Sequence, residues 1–113
     1  MEKNYGHMQI INLASIADNC REKWANFTLS RVNGSLVRLG IFEGEFHWHK
    51  HDREDEFFFV VSGEIHIDLA GETVNLKAGQ GYTVTQGVSH RTRADRRATV
   101  LMVEADTVNP RGD

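Results

Sequence analysis

The sequence predicts an all-β fold, an antiparallel sandwich or barrel preceded by one short helix. Three observations carry this expectation. Apolar and polar residues alternate with period two along many short segments, as they do in strands with one buried face. Turn signals containing glycine recur every six to ten residues from Asn33-Gly34 onward. Helical patterning is confined to one stretch, Ser15 to Lys23. At 113 residues the chain reads as one domain, 1–113, long enough for a buried core and too short for two. Within it the core barrel is expected over about 27–105 and an N-terminal strand and helix over about 9–24.

Taken in order, Gln9 to Leu13 is a short strand candidate. Ser15-Ile16-Ala17-Asp18 has the pattern of a capping box and predicts a helix of about two turns through Cys20 to Lys23. So short a helix must dock on the body to persist, and Ile16, Cys20 and Lys23 or Trp24 supply a shared face. Phe27 to Val32 and Ser35 to Phe42 form a hairpin about Asn33-Gly34, a strong two-residue turn. After a break at Glu43-Gly44-Glu45, strands are expected at Phe46 to His49, Glu56 to Ser62 and Ile65 to Leu69. Clean alternation in the last of these turns His66 and Asp68 away from the core, so His66 reads as a surface histidine. Thr73 to Leu76, Tyr82 to Thr85 and His90 to Arg93 follow. Asp95-Arg96 is read as a turn, and Ala98 to Glu104 closes the sheet, giving nine or so strands.

Composition removes several function classes. Hydrophobic residues make up 40% and charged residues 26%, an ordinary globular mixture. A net charge of −3 argues against a nucleic-acid binder driven by phosphate neutralisation. No apolar run reaches membrane-spanning length, and Met1 to Tyr5 lacks a secretion pattern. Cys20 is the single cysteine, which excludes a disulfide framework and suits a reducing, cytoplasmic setting. It reads as a small packed residue rather than a nucleophile.

The chemistry concentrates in His47–Gly63. Three of the six histidines, His47, His49 and His51, fall within five residues, and Glu56 follows. His49 and His51 are two apart, so an extended backbone sends both side chains to one face. Imidazole and carboxylate are good ligands for a divalent first-row metal, and His90 offers a further imidazole. On this stretch alone the alternatives are a metal site and a solvated polar turn.

This stretch resembles the first motif of the cupin family. His49-Lys50-His51, Asp52 to Asp55, Glu56, Phe57 to Ser62 and Gly63 keep its spacing, with Gly44 one residue nearer to His49 than usual. The second motif is matched by Gly79, Thr85-Gln86-Gly87 and His90. Thr85 stands where proline is usual, which loosens the turn before His90, and Ala94 stands where asparagine is usual. The resemblance covers roughly Gly44 to Glu104. It implies a single-domain jelly-roll barrel with a metal held by His49, His51, Glu56 and His90. It also implies a homodimer, with Gln9 to Leu13 as the candidate pairing strand.

Three imidazoles and one carboxylate leave net charge +1 on a divalent ion and two vacancies in an octahedral shell. Zinc, iron, nickel, manganese and copper all suit the set. Such an ion can polarise a carbonyl, acidify a bound water or, as iron, bind O₂. A small-molecule substrate chelating through two oxygens fits, and two function classes follow. One is a metal-dependent isomerase, oxygenase or lyase acting on an oxygenated metabolite. The other is a non-catalytic binding or sensing module that uses the same pocket.

Parity assigns the remaining pocket candidates. His47 shares the ligand face, either as a base contacting substrate or as a histidine on the wet rim. Phe58 and Val60 point with Glu56, and Thr92 points with His90. Phe57, Phe59 and Val61 face outward, and Trp48 belongs to core or interface. Tyr82 and Arg38 are candidates for an acid and an anion anchor. Arg91, Arg93, Arg96 and Arg97 read as a solvated edge, and Arg111-Gly112-Asp113 as a loose end.

Overall fold

A computed structural model describes residues 6–113; the Met1–Tyr5 segment, read above for a secretion pattern, lies outside the described residues. Helix α1 spans Leu13–Asn19. Its N-cap is Asn12, whose side chain accepts from the Ser15 N–H, so the expected capping box at Ser15 is displaced by one turn. That cap opens the helix where a strand was expected, and Gln9 to Asn12 is not a strand. The helix ends at Asn19, with Cys20 as C-cap, short of Lys23.

Seven strands follow among the described residues, rather than nine. They are β1 (Ala25–Val32), β2 (Ser35–Glu45), β3 (Glu56–Ser62), β4 (Glu64–Leu69), β5 (Glu72–Lys77), β6 (Gly81–Val84) and β7 (Arg91–Ala105). All pairings are antiparallel, in the order β1-β2-β7-β3-β6, with β4 joining β7 to β5. The Asn33-Gly34 hairpin forms as expected, with Asn33 at φ +53°.

Two expected interruptions are absorbed inside long strands. β2 runs through Glu43 and Gly44 to Glu45, and β7 runs through Asp95 and Arg96. Opposite each other, Ala94 pairs with Gly44 and Ala98 with Phe42, so the extra residues of β7 bulge instead of turning. The bulge bends β7: its second half lies between β2 and β3, while Arg91–Arg93 pairs with β4. Phe46 to Trp48 is irregular, and His49 joins His90 through an isolated bridge.

Parity works as expected for the core. Phe42, Phe58, Val60, Ile65, Ile67, Val100 and Met102 fill the barrel interior. The opposite face of β2 presents Leu39 and Ile41, on which α1 docks through Ala17 with Leu13, Ile16 and Cys20 packed alongside. Trp24 does not join that helix face; it packs on the barrel cluster instead.

Candidate metal centre

The His49–His90 bridge, with each backbone N–H donating to the other's carbonyl at 3.0 and 2.9 Å, lays the two motifs side by side. His51 lies two residues on, its carbonyl accepting from the Gly87 N–H at 2.7 Å. Glu56 opens β3 with an inward side chain. Ligand atoms of His49, His51, Glu56 and His90 all come within 4.8 Å of one another, so these four side chains, which the motifs singled out, form one cluster that could hold a metal ion.

The hydrogen bonds around the cluster orient its rings. His90 Nδ1 bonds the Val88 carbonyl at 3.0 Å, and His49 Nδ1 bonds the His47 carbonyl at 3.0 Å. A carbonyl only accepts, so both rings carry their proton on Nδ1 and keep Nε2 as a lone-pair donor. His51 is 2% exposed, and neither of its ring nitrogens has a hydrogen-bond partner. Its Nε2 lies 3.4 Å from Glu56 Oε1, and His90 Nε2 lies 3.3 Å from the same oxygen. Lone-pair atoms converging this closely in a buried place call for a cation or a proton among them. The donor set therefore fits a divalent ion.

Electrostatics separates the members. Burial lowers the His49 pKa, favouring the neutral, ligating form, while Glu56 raises that of His51. Burial pushes Glu56 up, but its close neighbours His51, His90 and Glu104 outweigh it and hold the carboxyl well below the usual carboxylate range. Glu104, absent from the motif reading as a site residue, sits directly behind Glu56. Burial and the neighbouring Glu56 push its pKa upward, against the pull of Arg38. Its nearest cation is Arg38, with Nε 2.6 Å from Glu104 Oε1. The candidate anion anchor thus faces a carboxylate of its own barrel. Inward parity at Glu104 was readable, but not the partner it meets.

The remaining candidates divide. His47 is exposed and donates from Nε2 to the Arg111 carbonyl at 2.6 Å. Tyr82 is half-buried on β6 against the barrel cluster and is not among the residues lining the cavity that opens beside His49 and Glu56. Trp48 is 47% exposed, with the Arg91 guanidinium 5.5 Å from its ring centroid, so it is not a core residue. Arg91 and Arg93 are not a solvated edge: both bond Asp68, which they bury on the outer face of β4.

The expected loose end is tied down. Besides the Arg111 contact to His47, Asp113 N–H donates to the Lys50 carbonyl at 2.9 Å, and its carboxylate accepts from Asp52 N–H at 2.6 Å. Gly112 has φ +94°, and a Cβ there would stand 2.5 Å from His49 Cβ. Only glycine lets this segment lie against the ligand.

Above the cluster opens a cavity of about 200 Å³, lined by Trp24, Phe42, Phe46, Phe58 and Met102 with His49, Glu56 and Thr92. Pro110 and Arg111 complete its rim.

Comparison with known proteins agrees with this geometry. Residues 36–104 match the Cupin domain family model. The YdbB protein of Bacillus subtilis is 46% identical over 101 residues, covering 86% of this chain and 89% of its own. A cupin-2 domain protein of Shewanella frigidimarina superposes with TM-score 0.81 at 28% identity, over 85% of this chain and 94% of its own. A Neisseria meningitidis protein superposes with TM-score 0.78 at 27% identity, over 87% of this chain and the whole of its own. The two solved structures share this chain's fold.

Proposed function

Because this chain belongs to the Cupin domain family, we propose that it is a divalent-metal-dependent enzyme acting on a small oxygenated metabolite, of isomerase, oxygenase or lyase type. The carrying observation is that His49, His51, Glu56 and His90 gather beneath a cavity, with His49 and Glu56 lining its floor. The ion would be zinc, iron, nickel, manganese or copper, held by these four residues. When bound it supplies a Lewis acid that polarises substrate oxygens. The chain's own contribution is orientation and exclusion. Backbone carbonyls of His47 and Val88 fix the ligand rings, and the aromatic walls keep bulk water from the floor.

One observation favours a second reading, a non-catalytic binding or sensing module. Apart from the ligands, Asn26, Thr92 and Arg111 are the polar residues lining the cavity among the described residues, and none of these three is a ready general acid or base. Elemental analysis of untagged protein, followed by turnover screening of the metal-loaded form against keto-acids, diols and hydroxy-acids, tests both. About one metal per chain, lost in His90→Ala, with conversion of one class supports the enzyme. Tight binding without conversion supports the sensor. A metal content that His90→Ala leaves unchanged sinks the centre itself.

We also propose a homodimer. Phe57 pairs with Val103 and Phe59 with Leu101, so these apolar residues share one outward face with the exposed Val61, and Ile10 is fully exposed nearby in sequence to α1.

A further inference from the structure

We propose that the cavity selects ligands in which an aromatic ring is joined to a chelating pair of oxygens, with the ring seated against Trp24, Phe42 and Phe46. The inference rests on the metal reading above and adds the class of molecule taken. The Trp24 indole lies parallel to both phenyl rings, within 4° of each, with centroids 4.5 Å from Phe42 and 5.2 Å from Phe46. Phe58 and Met102 extend the apolar wall toward Glu56 and His49. Size agrees: an apolar cavity of roughly 150 Å³ accommodates a benzene ring, and this one holds about 200 Å³. One ring with a short oxygenated substituent fills it.

Chemistry narrows the choice further. Every hydroxyl of a sugar or polyol buried here would need a partner, and an unpartnered one costs free energy. Asn26 and Thr92 cannot serve several hydroxyls at once. A sugar phosphate would also want paired cations, whereas Arg111, at the rim, is the one cation of the lining among the described residues. A flat apolar body has no such requirement, and it gains by burying its surface against this apolar wall. Two oxygens would then reach the cluster floor while the ring occupies the wall.

The test compares two α-hydroxy acids with the same chelating head, mandelate with its ring and lactate without. The protein is loaded with Co(II), whose visible spectrum reports metal binding independently of any turnover, and each acid is titrated by calorimetry. Mandelate is expected to bind at least about tenfold more tightly, as burying a phenyl-sized surface predicts. Trp24→Leu, or Phe46→Leu should the first variant fold poorly, is expected to bring that ratio towards one while the Co(II) spectrum persists. Equal affinities in the Co(II)-loaded protein, or a ratio unchanged in the folded variant, overturn the aromatic assignment alone. Failure to take up Co(II) overturns the metal reading on which it stands.

Discussion

Asp68 shows how far one residue's role depends on partners from elsewhere in the chain. Parity places it outward on β4, correctly, yet it is only 6% exposed because Arg91 and Arg93 close over it. The Arg93 hydrogen bond, opposed by burial and aided by Thr73 and Arg91, holds its carboxyl well below the usual carboxylate range. A depressed carboxyl stabilises the fold above its unfolded pKa of about 3.9, and that contribution is lost as pH falls toward the folded value. Asp68→Asn is therefore expected to cost about 1–3 kcal/mol at pH 7, towards the lower end because both guanidiniums are partly solvated. The gap from the parent should narrow as pH drops below about 4. Urea melts of both proteins between pH 7 and 2.5 check this, and a gap independent of pH would refute it.

At the scale of elements, α1 is too short to hold itself. Its seven residues carry an Asn12 cap at one end and depend on Arg97 at the other. The Arg97 guanidinium donates to the carbonyls of Ala17 at 2.9 Å, Cys20 at 2.7 Å and Glu22 at 3.2 Å, satisfying groups that a helix end leaves open. The donor comes from the β7 bulge, so the irregularity that bends the strand also fastens the helix. Arg97→Ala is expected to cost about 1–2 kcal/mol and to speed hydrogen exchange at the α1 amides more than at β7. Uniform exchange across both elements would show that α1 is held by its apolar face alone. The sequence marks the helix but misplaces its start, because Asn12 and Ser15 are both competent caps and docking chooses between them.

For the whole molecule, the question is what covers the outer face of β3 and β7. Val61 and Val103 are each 38% exposed beside Phe57, Phe59 and Leu101. Paired with a second copy, this face would leave water. Light scattering on a sizing column is expected to return twice the 12.8 kDa chain mass, with Val103→Lys shifting it toward one chain. A parent mass of one chain removes the dimer. Elsewhere β7 is the common member, touching β2, β3 and β4 and carrying both Glu104, behind the cluster, and Thr92, on the cavity wall.

What the sequence determined alone was periodic and local. Alternation set the inward faces of β3 and β4, Asn33-Gly34 set the first hairpin, and motif spacing picked out His49, His51, Glu56 and His90. Period-two geometry is a property of each strand, so it survives without knowledge of its neighbours. Tertiary structure decided what lies across from what. It set Trp24 on the cavity wall, Glu104 behind Glu56, arginines over Asp68, and Gly112 against His49. Those contacts join residues from 18 positions apart, as Trp24 and Phe42, to 63 apart, as His49 and Gly112, and pairing register with β7's bend fixes them. No local pattern encodes a register; it emerges only when the closed barrel buries its interior.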